Sequence, residues 1–174
     1  MTKLIAISLA LVLAGCVGKP DGIAPVTQFD SKKYLGKWYE IARMDHSFER
    51  GMNNVSAHYS MRDDGGIKVI NRGYKTDKKQ WSESEGKAYF VDTPDIGHLK
   101  VSFFGPFYGS YVVFDLDPNY QHSLVTGNDK SYLWLLSRKP QLDEATKKRL
   151  VDKAQALGYD TAKLIWVDQS QASR

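Results

Sequence analysis

The chain has 174 residues, a formal net charge of +4 and a single cysteine. This length suits one domain, and a lone cysteine excludes an internal disulfide, so stability must come from an adequate core. The basic residues are spread along the chain rather than clustered, which gives no reason to expect a nucleic-acid partner.

Residues 1–15 have the features of a lipoprotein signal peptide. Lys3 precedes an apolar run, residues 4–12, that is too short to cross a bilayer as a stable helix. Small residues come immediately before Cys16, as in the bacterial lipobox, so we predict cleavage ahead of Cys16 and its acylation. An incidental cysteine behind an ordinary secretory signal is the alternative.

Two or more acyl chains on Cys16 would anchor the mature chain stably. Lipoproteins retained at the inner membrane carry aspartate after the cysteine, whereas here Val17 follows. The sequence therefore predicts a lipid-anchored protein of the outer membrane that faces the periplasm. Residues 16–28 are rich in Gly and Pro and show no periodicity, which is typical of a flexible tether. The folded domain is expected to occupy residues 29–174.

From Trp38 onward, short apolar runs alternate with turn signals such as Asp63-Asp64-Gly65-Gly66. This pattern predicts eight strands over residues 38–43, 55–62, 67–74, 81–91, 99–104, 111–116, 121–126 and 132–138. Apolar residues then recur at helical spacing between Pro140 and Gly158, which predicts one helix. A short final strand is expected over residues 163–167.

Eight consecutive antiparallel strands can stay open or can close into an up-and-down barrel, and closure removes exposed edges. The predicted fold is therefore all-β, an eight-stranded antiparallel barrel with the C-terminal helix packed outside. Because strands alternate in direction, the end of the eighth strand returns to the start of the first. Arg138 should then lie beside Trp38, where a cation–π contact would close the barrel floor.

These residues carry a resemblance to a known family. The segment Gly36-Lys37-Trp38, followed by "YEIAR", and an arginine that ends the last barrel strand resemble the lipocalins. Further segments, "FERGMNNVSAHYSMRDDGGIKVINRGY", "SEGKAY", "LKVSFFGPFYGSY" and "YLWLLSR", are similar to the bacterial lipocalins related to apolipoprotein D. The resemblance implies a fatty acid, lysophospholipid or similar ligand, and a possible homodimer. It gives Gly36, Trp38 and Arg138 a structural role at the floor.

Strand alternation predicts which side chains face the barrel interior. On the fifth strand Lys100 should face water, which turns its neighbours inward, and on the eighth strand Leu133 and Leu135 should face the helix. The expected ligand-binding residues are Leu99, Val101, Phe103, Tyr108, Tyr111, Val113, Tyr132, Trp134 and Leu136. For each of them, plain core packing is the alternative.

The same counting places four loops at the open mouth of the barrel. One of them, residues 105–109, carries Phe107 and Tyr108, and exposed rings are costly unless something covers them. Packing on neighbouring loops, a lip for an acyl ligand, and contact with a membrane or second subunit all fit.

No nucleophile elbow, calcium loop or metal-binding histidine spacing occurs, and the four histidines are expected at the surface or in loops. We therefore expect no cofactor, no metal and no enzyme activity. The hypothesis is a membrane-anchored protein that stores or transports a hydrophobic ligand at the cell envelope. Two alternatives stay open. A lumen carboxylate or histidine with a displaced pKa would favour an enzyme, and a filled lumen would favour an envelope scaffold.

Overall fold

A computed structural model describes residues 17–171. Within these residues, two helices and nine strands form, and one further turn of 3₁₀-helix, Thr161–Lys163, follows the second helix. In chain order the elements are α1 (Ser31–Tyr34), β1 (Gly36–Arg43), β2 (Met52–Met61), β3 (Ile67–Lys75), β4 (Gln80–Phe90), β5 (His98–Ser102), β6 (Gly109–Leu116), β7 (His122–Thr126), β8 (Leu133–Ser137), α2 (Glu144–Ala156) and β9 (Ile165–Trp166).

Strands β1 to β8 form a closed barrel in which each strand pairs antiparallel with the next in sequence. Strand β1 closes the ring because it pairs with β2 on one side and with β8 on the other. Trp38 lies opposite Ala57 in the first pairing, and Tyr39 lies opposite Ser137 in the second. The predicted eight-stranded up-and-down barrel is confirmed.

A bulge in β1 changes which side chains face inward. The register with β8 shifts between Glu40 and Ala42, so Ile41 and Ala42 both join the apolar cluster outside the barrel. Glu40 lines the interior and Arg43 hydrogen-bonds to it from two residues beyond the bulge. A single inserted residue thus brings an acid and a base of the same strand to the interior.

Two apolar clusters divide the core. The outer cluster holds α2 against the barrel wall, where Leu150 and Ala154 pack with Leu133 and Leu135, as the alternation in β8 predicted. Asp143 caps α2 by accepting a hydrogen bond from the Thr146 amide at 2.9 Å. The inner cluster fills the lower barrel around Trp38. No helix in the described part of the chain has the length and apolarity needed to cross a membrane.

Residues 17–28 do not form the free tether expected from their composition. The amide of Val26 donates to the Val113 carbonyl at 2.9 Å, and the amide of Gly97 donates to the Val26 carbonyl at 2.8 Å. Ile23 is 2% exposed and packs in the outer cluster. These contacts hold the segment along the outside of β5 and β6. Cys16 and the signal peptide lie outside the described residues.

The C-terminal segment closes a seam in the barrel. The paired register of β1 and β2 ends at Tyr39 and Ser56, and above that point β9 pairs with the outer half of β1 instead. The Gln169 side chain spans the gap, since its Nε2 donates to the Glu40 carbonyl at 2.7 Å and to the Val55 carbonyl at 2.8 Å. Residues after α2 therefore provide hydrogen-bond partners for backbone groups of β1 and β2 at the point where these two strands separate.

Candidate ligand-binding site

The barrel encloses a narrow cavity, called the lumen here, between the floor and the open mouth. Its volume is about 110 Å³, which is smaller than an apolar protein cavity of about 150 Å³ that holds benzene. Apolar and aromatic side chains form most of its wall. The lumen is therefore too small for a bulky ring system and has room only for a short segment of a ligand. Six of the expected residues line it: Leu99, Val101, Phe103, Tyr111, Trp134 and Leu136.

Three expected residues lie elsewhere. Val113 is fully buried in the inner cluster, because β6 runs from mouth to floor and carries it two residues below Tyr111. Tyr108 and Tyr132 lie in a wider recess of about 400 Å³ at the mouth. Tyr132 precedes the first residue of β8, so strand alternation does not govern it. Val101, Phe103 and Trp134 line both lumen and recess, so the two spaces are continuous.

The floor is held by Gly36, Trp38 and Arg138, the residues that the sequence analysis predicted there. The Arg138 guanidinium lies 4.0 Å from the centroid of the Trp38 ring. It also donates to the carbonyls of Tyr120, Lys37 and Lys33 at 3.2, 2.9 and 2.7 Å. Gly36 takes a φ of +92°, and a Cβ there would lie 3.4 Å from an Arg138 nitrogen. A glycine is favoured at this position because only glycine adopts such a φ freely.

Above the floor, three tyrosine hydroxyls form a chain inside the barrel. The Tyr111 hydroxyl lies 2.8 Å from that of Tyr34 and 2.9 Å from that of Tyr59. Burial raises the pKa of Tyr34 to about 12 and raises the pKa of Tyr59 and Tyr111. The hydroxyls stay protonated at neutral pH, so they keep their donors for one another or for a polar group of a ligand.

A buried charged cluster forms the wall nearer the mouth. Arg43 is 1% exposed and contacts the Glu40 carboxylate at 2.8 Å. Glu49 lies 2.9 Å from His46 and accepts a hydrogen bond from Trp134 Nε1 at 3.1 Å. Both carboxylates line the lumen, whereas Arg43 lies behind them. The acidic oxygens are thus the charged atoms that a ligand entering the lumen would meet.

The two acids differ in their pKa. Burial and the nearby negative charge of Glu49 raise the pKa of Glu40 well above its ordinary value, against the pull of Arg43. Burial also opposes ionisation of Glu49, but the hydrogen bonds from His46 and Trp134 hold its pKa below the ordinary value. Glu49 is therefore the stronger acid of the pair, and Glu40 is the one that takes up a proton more readily.

Sequence reasoning missed this cluster for two reasons. Glu40 and Arg43 are three residues apart, a spacing that puts them on opposite faces of a regular strand, and only the bulge reverses this. His46 lies in a loop, as expected, but it is 6% exposed and stacks on Phe48 with 3.8 Å between the ring centroids. His98 is the first residue of β5 and is also 6% exposed, so the expectation of a surface or loop position is wrong for His98. The sequence did carry a signal for this cluster, because Glu40 and Arg43 are charged residues inside an otherwise apolar strand.

The loop between β5 and β6 is the most exposed apolar part of the mouth. Phe104 is 81% exposed and Phe107 is 78% exposed, so their rings do not pack on neighbouring loops. Both rings border the recess that leads into the lumen. Of the three interpretations that the sequence left open, the structure excludes packing on neighbouring loops for Phe107. Two interpretations remain, a lip for the ligand and a contact with a membrane or second subunit.

The arrangement suits binding rather than metal chemistry. Among residues 17–171, no group of three His, Cys, Asp or Glu side chains could hold a metal ion. Glu40 has the displaced pKa that would favour an enzyme, but its carboxylate pairs with Arg43 rather than with a nucleophile. A slender apolar lumen with hydroxyl and carboxylate groups on its wall can bury a chain and orient a polar end.

Comparison with known proteins agrees with this description. Residues 29–169 match the family model of a lipocalin-like domain. The chain is 51% identical to the outer membrane lipoprotein Blc of Vibrio cholerae over 97% of its own length and 99% of the relative. It is also 51% identical to Blc of Escherichia coli K12, covering 94% of each chain. Mouse apolipoprotein D is 31% identical, over 82% of this chain and 78% of that protein.

Solved structures agree on the fold. Insecticyanin from the tobacco hornworm superposes with a TM-score of 0.68 at 22% identity, covering 90% of this chain and 89% of that one. Lobster apocrustacyanin A1 gives a TM-score of 0.65 at 16% identity, covering 86% and 92%. The names of the bacterial relatives confirm the predicted location at the outer membrane. On the family model and these relatives together, the chain belongs to the lipocalin family.

Proposed function

We propose that this lipocalin is anchored to the outer membrane through acylated Cys16 and binds one acyl chain of a fatty acid or lysophospholipid in its lumen, which it stores or carries within the envelope. The observation that carries the proposal is the lumen itself, narrow, apolar and open at one end. Burying an alkyl chain there is favoured by about 25 cal/mol for each Å² removed from water.

The width of the cavity supports a single chain over a bulkier ligand. A volume of about 110 Å³ holds one slender segment, and the recess of about 400 Å³ above it has room for a head group. The lumen carries buried acids and the recess does not include them. An anionic head is therefore expected in the recess, with the tail in the lumen, because like charges repel strongly in a buried site.

The test is a titration of the delipidated chain, without its signal peptide and with Cys16 replaced by alanine. Fatty acids and lysophospholipids of increasing chain length are added while tryptophan emission is followed. We expect saturable binding with a signal that is lost in Trp134→Phe, since Trp134 lines the lumen. The matched control is Trp166→Phe, because Trp166 is 50% exposed on β9 outside the barrel, and it should keep the signal.

Two outcomes would contradict the proposal. Absence of binding across all chain lengths would favour the envelope scaffold, with the lumen serving only as core. A signal that survives in Trp134→Phe but is lost in Trp166→Phe would place binding on the outer surface, beside α2.

A further inference from the structure

The N-terminal segment fixes where the membrane anchor leaves the barrel. The Val17 carbonyl lies 3.0 Å from Nε2 of His98, and the Gly18 carbonyl accepts a hydrogen bond from the Ser110 hydroxyl. Ser110 is the second residue of β6, directly below the mouth loop. Cys16 is joined to Val17, and consecutive Cα atoms lie about 3.8 Å apart. Val17 therefore lies beside the mouth half of the barrel wall, and the proposed anchor residue directly precedes it in the chain.

From this geometry we infer that the barrel docks mouth-first on a lipid surface, with Phe104 and Phe107 inserted among the lipids. The inference rests on the proposed acylation of Cys16. Val17 contacts His98, which lies opposite Val112 of β6. Four residue steps separate Val112 from Leu116 at the floor end, a span of roughly 14 Å at about 3.4 Å per residue. A barrel standing on its floor would hold Val17, the residue next to the proposed anchor, that far above the bilayer.

The exposed rings of Phe104 and Phe107 also indicate that a lipid surface covers the mouth. Phe104 and Phe107 belong to the loop that immediately precedes Gly109 and Ser110, so they lie on the side of the mouth where the anchor emerges. Insertion of two rings that are 81% and 78% exposed removes a large apolar area from water. The recess that they border opens into the lumen, so a lipid leaving the bilayer enters without crossing water.

The test uses the full lipidated chain in vesicles of phosphatidylethanolamine and phosphatidylglycerol. Cys16 is the sole cysteine and its sulfur is used by the anchor, so Phe107→Cys introduces the one free thiol for a polarity-sensitive dye. Met61→Cys is the matched control, because Met61 is 49% exposed at the floor end of β2. Flotation of the wild-type chain with the vesicles reports on the anchor separately.

We expect the dye at position 107 to shift to the blue, to be quenched by spin-labelled lipids and to be shielded from iodide. The dye at position 61 should remain open to iodide and unaffected by the lipids. The inference is overturned if position 107 is open to iodide while the chain floats. It is also overturned if position 107 is shielded from iodide without lipid quenching and shows energy transfer between chains, since a second copy would then cover the loop. If the wild-type chain does not float with the vesicles, the proposed anchor is absent and the docking inference is overturned as well.

A kinetic measurement checks the same inference without a dye. The double variant Phe104→Ser with Phe107→Ser changes exposed side chains only, so the barrel stays intact. We expect uptake of lysophospholipid from vesicles to slow by roughly tenfold, a larger change than that in its equilibrium affinity, because the two rings only border the recess that receives the head group. Met61→Ser should leave both unchanged. Equal uptake rates in wild type and double variant would contradict insertion of the loop.

Discussion

Two arginines occupy opposite ends of the same barrel, and only one of them pairs with a carboxylate. Arg138 at the floor is partly buried, stacks on Trp38 and donates to backbone carbonyls. Arg43 near the mouth is fully buried, pairs with the Glu40 carboxylate and also donates to the carbonyls of Glu49 and Met52. Carbonyls do not titrate, whereas carboxylates do. The contacts at the floor are therefore insensitive to pH. The charge of the mouth-side wall, by contrast, depends on the protonation of its carboxylates.

The largest expected effect comes from breaking the mouth-side pair. Arg43→Met should lower the free energy of unfolding by about 3–5 kcal/mol, because it leaves the buried Glu40 carboxylate without its cation and two carbonyls without their donor. Urea unfolding of the unanchored chain measures it. Arg50→Met is the control, since Arg50 pairs with Asp45 in water, and its loss should cost less than about 1 kcal/mol. Equal losses in the two variants would contradict the interpretation of a buried charge cluster.

A smaller effect is expected at the floor. Arg138→Lys should lower the free energy of unfolding by about 1–2 kcal/mol, because an ammonium group can neither stack on Trp38 in the same way nor reach three carbonyls at once. Ligand affinity should stay within about twofold of wild type, as neither residue lines the lumen. A large loss of binding without a loss of stability would mean that the floor takes part in ligand recognition.

The pH dependence separates the two ends most directly, although its amplitude is the smallest. Because the pKa of Glu40 is raised in the folded state, the folded chain keeps a proton that the unfolded chain loses. The contribution of this group to stability therefore falls as pH rises above its ordinary pKa of 4.5. We expect Glu40→Gln to gain stability relative to wild type between pH 5 and pH 7.5, measured as urea midpoints.

Arg138→Lys provides the comparison for this measurement. Its difference from wild type should be the same at both pH values, because the Arg138 partners are carbonyls. A Glu40→Gln difference that also stays constant with pH would show that Glu40 is ionised in the folded chain throughout the range.

The sequence predicted the barrel and the residues at its floor because both follow from long-range regularities. Alternating strand direction alone brings Arg138 to Trp38, and strict alternation along β5 and β8 places Leu99, Val101 and Trp134 in the lumen. These strands are regular between their ends, so a period of two holds for every residue. The lumen prediction failed for Tyr132, which precedes its strand, and for Val113, which lies too deep.

Other features could not be derived from local pattern. The bulge at Ile41 follows from the pairing of β1 with β8, which no run of residues within β1 specifies. The docking of residues 17–28 depends on backbone hydrogen bonds to Gly97 and Val113. Backbone groups are the same in every residue, so composition suggested a flexible segment where tertiary contacts give an ordered one.

The seam between β1 and β2 has a consequence for the order of events during biosynthesis. Gln169 bridges the Glu40 and Val55 carbonyls, and the Asn54 amide donates to the Asp168 carbonyl at 2.7 Å. The first two barrel strands thus depend on residues that lie more than a hundred positions later in the chain. A chain still emerging from a translocation pore lacks these residues, so we expect this seam to stay open until Gln169 has emerged.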